Sequence, residues 1–131
     1  MTSQITFFIR APYNAHVDEF NTLYISNKAS DEIKEEFIID FNNVENIYIK
    51  ETSYSSKDID TFNCGTIQMS IAGLKLTKCR FIKADGANDL SSIVIKLQKE
   101  GLNITLGIFE IDKNKAEQLY KNIEDITTNK H

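Results

Sequence analysis

The sequence predicts an α+β fold, in which a mostly antiparallel β-sheet, arranged as a meander or a half-barrel, is covered by a C-terminal α-helix. Three observations carry this prediction. Short segments of alternating apolar and polar residues recur along roughly the first 110 residues, as in half-buried strands. Two of these segments are separated only by Gln98–Gly101, which predicts a tight hairpin with Gly101 in the left-handed conformation. After Asp112 the apolar residues change to helical spacing.

The N-terminal region contains one clear strand and one ambiguous segment. Gln4–Arg10 alternates in the manner of a strand. Ala11–Asn14 is predicted to end this strand, because Pro12 cannot donate to a ladder and Asn favours turns. The next apolar residues fit either a short helix or an irregular strand; they are Val17, Phe20, Leu23 and Tyr24.

The segment Ser30–Phe41 supports two interpretations. Ser30 is a suitable helix N-cap, and apolar residues follow at helical spacing. The same stretch alternates through Phe37 and Ile39 in a β-branched and aromatic run, which is typical of a strand. A helix leaves Ile39 on the solvent side. The sequence therefore favours a helical turn over Ser30–Glu35 followed by a strand over Glu36–Phe41, with helix as the open alternative for the second part.

The central region is predicted to consist of strands and one long loop. A turn at Asn42-Asn43 precedes a strand through Ile47 and Ile49, and the polar stretch Thr52–Asp60 is predicted to be a loop. Thr66–Lys83 is strand-like throughout. Its alternation changes parity twice, which requires a turn or bulge at two places: Ala72-Gly73 and Thr77-Lys78.

The C-terminal region provides the clearest signals. The loop Ala84–Asp89 leads into the two strands of the predicted hairpin. Asp112 is predicted to cap the final helix, with Ile111 and Ala116 forming a hydrophobic staple. The apolar face of this helix consists of Ala116, Leu119, Tyr120, Ile123 and Ile126.

The segment Ile104–Ile126 resembles the last strand and closing helix of pleckstrin-homology-like domains. The resemblance rests on Gly107, the strand alternation and the helix face. It implies a pleckstrin-homology-like arrangement as an architectural alternative, and no lipid-binding residue is carried over from that family.

Length and composition indicate one domain over residues 1–131. The chain is 41% hydrophobic, which is enough to form a core of its own. No apolar run approaches the roughly 20 residues that a bilayer requires, and Met1–Tyr13 does not have the pattern of a signal peptide. We therefore expect a cytoplasmic protein without membrane association, in which Cys64 and Cys79 are free thiols.

No motif for catalysis, cofactor binding or metal binding is present. The sequence lacks the Gly-x-Ser-x-Gly, His-Glu-x-x-His, P-loop and Gly-x-Gly-x-x-Gly patterns. Neither cysteine has a Cys or His at metal-ligand spacing. A nucleophilic pair of Cys64 and His16 is conceivable, although any chain with one Cys and one His offers as much. We expect a protein that is not an enzyme and that uses no cofactor and no metal.

Negative charge is concentrated in the first half of the chain. Residues 1–60 hold eleven acidic and five basic side chains, a balance of −6, and residues 61–131 hold eight acidic and ten basic ones, a balance of +2, which together give −4. An acidic surface attracts a basic partner and steers its approach. We expect the partner-binding residues to be those of the densest acidic segment and the following loop: Asp31, Glu32, Glu35, Glu36, Asp40, Asp58 and Asp60.

These features predict a non-catalytic inhibitor that binds another protein. We expect a bacterial immunity or antitoxin-type protein that occludes the active site of a basic, nuclease-like toxin, because acidic side chains can replace phosphate in a basic cleft. Thirteen Lys against two Arg is typical of AT-rich bacterial accessory genes. The alternatives are a small-molecule or lipid-binding β-sheet module and an enzyme without a recognisable motif.

A basic set in the second half raises the question of nucleic acid. Its members share neighbouring predicted strands with Phe81, an arrangement suited to single-stranded nucleic acid; they are Lys75, Lys78, Arg80, Lys83 and Lys96. In a regular strand, Lys75 and Lys83 point away from Lys78 and Arg80, which would divide the set. Because the chain as a whole is acidic, we expect no nucleic-acid partner.

Overall fold

The computed structural model describes residues 2–10, 13–30, 33–56, 69–86 and 89–128. The chain forms eight strands followed by one helix. The strands are β1 (Ser3–Arg10), β2 (Tyr13–Val17), β3 (Thr22–Ser30), β4 (Ile33–Asp40), β5 (Ile47–Ser56), β6 (Met69–Ile82), β7 (Ser91–Lys99) and β8 (Leu102–Glu110), and the helix is α1 (Lys113–Thr128). Within the described residues, no helix is long and apolar enough to cross a membrane.

The eight strands form one sheet in the order β1-β8-β7-β6-β5-β4-β3-β2. Strands β2 to β8 pair antiparallel with their neighbours in chain order, and β1 pairs parallel with β8. The predicted α+β class, with a mostly antiparallel sheet and a C-terminal helix, is confirmed.

The sheet curls so that its two halves face each other across the core. β1 and β4 are five positions apart in the sheet, which would separate them by about 24 Å if the sheet were flat. The rings of Phe7 on β1 and Phe37 on β4 nevertheless meet edge to face, with centroids 5.1 Å apart. The inward side chains of both halves are fully buried, among them Ile9, Leu23 and Ile95.

Strand β6 joins the two halves and contains both predicted irregularities. Its first part pairs with β5 and its last part pairs with β7. The register shifts where Ile47 pairs with Leu74 and Ile49 with Ile71, so one extra residue of β6 bulges beside Gly73, whose φ is +78°. A second shift, between Leu76 and Lys78, leaves Thr77 as the extra residue. The strand continues through both positions, so the predicted parity changes are bulges and not turns.

The predicted hairpin and helix are also present. Lys99 pairs with Leu102 across a turn in which Gly101 has a φ of +79°, a conformation that glycine adopts without steric cost. Asp112 caps α1, because its Oδ1 accepts hydrogen bonds from the backbone N–H groups of Asn114 and Lys115 at 3.0 and 3.2 Å.

The apolar face of the helix is buried as predicted, with one correction at its start. Leu119, Ile123 and Ile126 are buried, and Tyr120 is half-buried with its ring stacked on Phe81 of β6 at 5.6 Å. Ile111 is 58% exposed, so the predicted staple with Ala116 is not a buried contact.

The prediction of a helical turn before β4 is wrong. A helical turn was expected over Ser30–Glu35, but β3 extends to Ser30 and β4 begins at Ile33. Residues 33–35 pair with β3 on one side and with β5 on the other, and this tertiary pairing outweighs the local capping signal at Ser30. The strand expected over Glu36–Phe41 is confirmed through Asp40.

The loop expected over Thr52–Asp60 begins later than predicted. Residues 52–56 belong to β5, and residues 57–60 lie outside the described residues. The break expected at Ala11–Asn14 is also shorter, because β2 already begins at Tyr13. In the ambiguous stretch after Val17, a turn leads into β3, and Asn21 adopts a φ of +61° in that turn.

Candidate functional site

The outer side of strands β2–β5 brings acidic and aromatic residues together. Leu23, Ile25 and Ile39 point inward and are buried, so strand alternation turns Tyr24 and Ile38 outward. Cross-strand register then sets the neighbours: Tyr24 pairs with Ile38, and Asp40 pairs with Tyr48. We call this surface the acidic face and define it by Asp18, Phe20, Tyr24, Glu36, Ile38, Asp40 and Tyr48.

Asp18 organises the turn at one end of the acidic face. Its Oδ1 accepts hydrogen bonds from the backbone N–H groups of Phe20 and Thr22, both at 2.9 Å, and its Oδ2 accepts one from the Tyr24 hydroxyl at 3.1 Å. The hydrogen bond from Thr22 is the main cause that lowers the pKa of Asp18, although partial desolvation opposes it. Asp18 therefore keeps its negative charge at neutral and mildly acidic pH.

Tyr24 is the aromatic centre of the acidic face. Its hydrogen bond to Asp18 is the main cause that raises the pKa of its hydroxyl, and the charges of Asp18, Asp40 and Glu36 raise it further. Three carboxylates thus act on one hydroxyl group, which shows that they share the same region of the surface. His16 stacks on the Tyr24 ring with centroids 4.7 Å apart and an interplanar angle of 11°.

The C-terminal end of β4 lies beside the same turn and is held by short polar contacts. Asp40 accepts a hydrogen bond from the backbone N–H of Asn42 at 2.8 Å, and the N–H of Phe41 donates to the carbonyl of Asn21 at 3.0 Å. These contacts fix the end of β4 against the turn after β2. Phe20, in that turn, is 67% exposed and presents a large apolar side chain next to the carboxylates. Lys50 on β5 is the basic residue nearest in register, since it pairs with Ile38.

The predicted partner-binding residues fall into three groups. Glu36 and Asp40 lie on the acidic face. Glu35 lies in β4, where its backbone pairs with Asn27 and Tyr54. The remaining four, Asp31, Glu32, Asp58 and Asp60, lie outside the described residues.

Sequence reasoning missed Asp18, Phe20, Tyr24 and Tyr48 as members of this surface. A signal was present, because the alternation that assigns Leu23 and Ile49 to the core also assigns Tyr24 and Tyr48 to the opposite side. The register that brings β2, β3 and β5 alongside β4 could not be obtained from that alternation alone.

The residues considered for chemistry are placed as follows. Cys79 is half-buried, and burial, with a smaller effect from Glu124, raises the pKa of its thiol to about 11. His16 lies on β2 against Tyr24, while Cys64 is outside the described residues. Within the described part of the chain, no three His, Cys, Asp or Glu residues are grouped as metal ligands.

A second feature is a groove between β2 and the helix. It has a volume of about 230 Å³ and is lined by Tyr13, Ala15, Lys115, Gln118, Leu119 and Asn122. The ammonium group of Lys115 lies 4.8 Å from the centre of the Tyr13 ring and 3.5 Å from the buried carboxylate of Glu110. The Tyr13 hydroxyl is buried and has no hydrogen-bond partner among the residues that the structure describes.

Comparison with known proteins gives no relative from which a function could be transferred. No protein-family model matches the chain, and neither curated proteins nor solved structures show a significant match. The functional argument therefore rests on the surfaces described above.

Proposed function

We propose that this protein binds a basic protein partner through the acidic face and acts without catalysis. In this proposal it is a cytoplasmic bacterial protein of the immunity or antitoxin type, which covers the active site of a basic, nuclease-like toxin. The observation that carries the proposal is that Glu36, Asp40 and Asp18 share one sheet surface with Tyr24 and Tyr48.

The composition of the acidic face suits a protein interface. Tyrosine supplies a large contact area at low entropic cost and is enriched at interface hot spots. The exposed Phe20 adds an apolar side chain that a partner pocket could bury. The carboxylates around these rings complement a basic surface and accelerate encounter with it, whereas their contribution to folding is small. The strands position Tyr24, Glu36 and Asp40, and hydrogen bonds to Asp18 hold the turn that contains Phe20, so little ordering is needed on binding.

The test is to isolate the partner and then measure its association rate with a charge variant. Tagged protein would be used to capture partners from the native cell, and these would be identified by mass spectrometry. The variant Glu36→Lys/Asp40→Asn raises the net charge from −4 to −1, and the amide oxygen that it introduces can still accept the hydrogen bond from the backbone N–H of Asn42. The control Glu100→Lys/Asp125→Asn makes the same change in net charge at exposed positions of the β7–β8 turn and the helix.

We expect the acidic-face variant to associate at least about tenfold more slowly at low salt, and the control to associate nearly as fast as the wild type. The difference should shrink as ionic strength rises, because the screening length falls to about 8 Å at physiological salt. Equal association rates for both variants, or a captured partner whose contact surface is acidic, would contradict the proposal.

The groove between β2 and the helix supports a second candidate function, the binding of a small apolar molecule or a lipid. Its lining includes the Tyr13 ring, Ala15 and Leu119, with Lys115 at the rim as an anchor for an anionic group. The pleckstrin-homology-like arrangement, which the sequence analysis gave as an architectural alternative, is considered together with this second candidate function. Its volume of about 230 Å³ is below the roughly 300–1,000 Å³ of most ligand sites, which makes the first proposal stronger. If short-chain fatty acids changed the amide NMR shifts of Ala15 and Leu119 only, that result would support ligand binding in the groove.

A further inference from the structure

Among the described residues, the outer side of β1, β6, β7 and β8 carries no acidic side chain, although the protein as a whole is acidic. Ile93, Ile95 and Leu97 are buried on the inner side, as are the corresponding residues of β8, so the alternating positions of these strands face outward. The outward positions, which we call the basic face, are Gln4, Thr6, Phe8, Lys75, Lys78, Arg80, Ile82, Val94, Lys96, Gln98, Asn103, Thr105 and Phe109.

The bulge at Thr77 is the reason that the basic residues share this face. In a regular strand, Lys75 and Lys78 would point to opposite sides. The extra residue restores the parity, so Lys75 pairs with the outward Gln98 and Lys78 pairs with the outward Lys96. The division that the sequence suggested is therefore absent for Lys75, whereas Lys83 follows the end of β6 and is not part of the basic face.

Regular alternation after the bulge turns Phe81 away from this surface, because Phe81 follows the outward Arg80. Phe81 faces the core side and stacks on Tyr120 at 5.6 Å. The aromatic residue expected to accompany the basic set is therefore not part of the basic face.

Lys78 and Lys96 form a like-charged pair with no compensating carboxylate. They are direct cross-strand neighbours, and Arg80 follows on the same side of β6, beside Val94. Like charges in directly opposed positions destabilise a sheet. Within the described residues none of these three cations forms a salt bridge, whereas Lys75 lies 3.9 Å from Glu45. A bound anion would remove the repulsion that the protein alone leaves in place.

Two aromatic rings lie on the same surface. Phe8 is 61% exposed, and its ring is 5.7 Å from that of Phe109. Gly107 lies beneath them: a Cβ atom there would come within 3.2 Å of the Phe109 ring and 3.5 Å of Phe8. The absence of a side chain at this position allows the Phe109 ring to lie against the strand, where the two rings cover Gly107.

The spacing of cations and rings fits a nucleotide. Phe109 is two strands away from β6, about 10 Å at the usual interstrand spacing, and Lys78 and Arg80 are about 6.6 Å apart along β6. A phosphate held between Lys78, Lys96 and Arg80 would leave its base above Val94, directed towards the Phe109 ring that covers Gly107. Aromatic stacking combined with a basic track is the general mode of single-stranded nucleic-acid binding.

We propose that the basic face binds single-stranded nucleic acid, with Lys78, Lys96 and Arg80 contacting phosphates and Phe8 and Phe109 stacking on bases. This site is separate from the acidic face and does not depend on the function proposed for it. From the sequence we expected no nucleic-acid partner, because the net charge of the chain is negative. The structure separates the charges, so that the field at this face is set by local cations.

The test uses fluorescence anisotropy with labelled oligo-dT and oligo-U of about 12 nucleotides at low salt. One variant, Lys78→Glu/Lys96→Glu, reverses the phosphate contacts, and Phe8→Ala removes the more exposed ring. The control Lys113→Glu/Lys121→Glu makes the same change in net charge on the helix, where Glu in the first turn is compatible with the helix dipole. Circular dichroism on every variant verifies that the fold is kept.

We expect saturable binding by the wild type and the control, a loss of at least about tenfold in affinity for the Lys78/Lys96 variant, and at least about fivefold for Phe8→Ala. The logarithm of the affinity should fall with the logarithm of salt concentration, with a slope of about −2 for three phosphate contacts. No binding of either oligonucleotide at low salt, or equal loss in the control, would overturn the proposal. Binding to phosphatidylserine vesicles without oligonucleotide binding would also overturn it and would indicate a membrane surface instead.

Discussion

The acidic face and the basic face are built on the same interior but are used differently. Both are outer surfaces of one curled sheet, and both carry two or more aromatic residues among charges. On the acidic face, Asp18 and Asp40 also cap turns, so part of its charge serves the fold. On the basic face, Lys78 and Lys96 repel each other, and neither forms a salt bridge with a carboxylate of the described residues. Charge that serves no structural purpose is the stronger indication of a ligand.

If both faces share one interior, damage to that interior should affect the stability of the whole molecule. Leu119 is buried beneath the helix with 6% exposure. We expect Leu119→Ala to lower the free energy of unfolding by about 2–4 kcal/mol, through lost transfer energy and the cavity left behind. Urea denaturation measures the change, with the exposed neighbour Gln118→Ala as control. A loss below about 0.5 kcal/mol would show that the helix does not close the core shared by the two faces.

Local signals in the sequence predicted most of the interior and little of the faces. The hairpin at Gly101, the cap at Asp112 and the two bulges of β6 each depend on a few adjacent residues, and each is present. The helical turn at Ser30–Glu35 was wrong, because residues 33–35 obtain their backbone partners from strands distant in the chain.

The faces depend on register between strands, which alternation within one strand does not supply. Asp18 and Tyr48 are neighbours of Asp40 only because β2, β3 and β5 align beside β4. The density of acidic residues correctly directed attention to β4, where Glu36 and Asp40 lie outward. It could not indicate that aromatic residues from other strands would surround them.

The thiol of Cys79 tests whether the inner side of β6 is closed to solvent. Burial, with a smaller effect from Glu124, raises its pKa to about 11. We expect alkylation of Cys79 by iodoacetamide at pH about 8 to be on the order of 100-fold slower in the folded protein than in denaturant, because only the thiolate reacts. The variant Cys64→Ser leaves Cys79 as the only thiol. Equal rates in the two states would mean that β6 is open on its inner side.

Tyr13 tests the junction between β2 and the helix. Its hydroxyl is buried without a partner, and burial, followed by the charges of Glu110 and Asp112, raises its pKa to about 12. We expect Tyr13→Phe to raise the free energy of unfolding by about 1 kcal/mol at neutral pH, because an unsatisfied polar group leaves the interior while the ring contact with Lys115 remains.

The pH dependence of this variant has a definite sign. Since the folded pKa of Tyr13, about 12, lies above its ordinary value of 10, the unfolded chain loses the hydroxyl proton first, and the stability of the wild type falls as pH rises from 10 towards 12. The advantage of Tyr13→Phe should therefore grow in urea titrations above pH 10. Tyr120→Phe is the matched control, and it should be destabilised because it loses a 3.0 Å hydrogen bond to Glu124. A Tyr13→Phe variant with a lower free energy of unfolding than the wild type would show that the hydroxyl has a hydrogen-bond partner.

The smallest expected effect is a change in stability on replacing Lys96, and it tests most directly whether the charges of the basic face differ in role from those of the acidic face. Replacing Lys96 by Glu converts the like-charged pair with Lys78 into an opposite-charged one. We expect Lys96→Glu to raise the free energy of unfolding by about 0.2–1 kcal/mol at low salt, and the gain to disappear at about 1 M salt, where screening reaches about 3 Å. Lys121→Glu makes the same change in net charge on the helix, beside Glu117, Glu124 and Asp125, so it should lower stability slightly at low salt. The same Lys96→Glu protein should bind oligonucleotides more weakly, so stability and binding would move in opposite directions. A destabilised Lys96→Glu would mean that the cations of the basic face stabilise the fold, and the contrast with the acidic face would no longer hold.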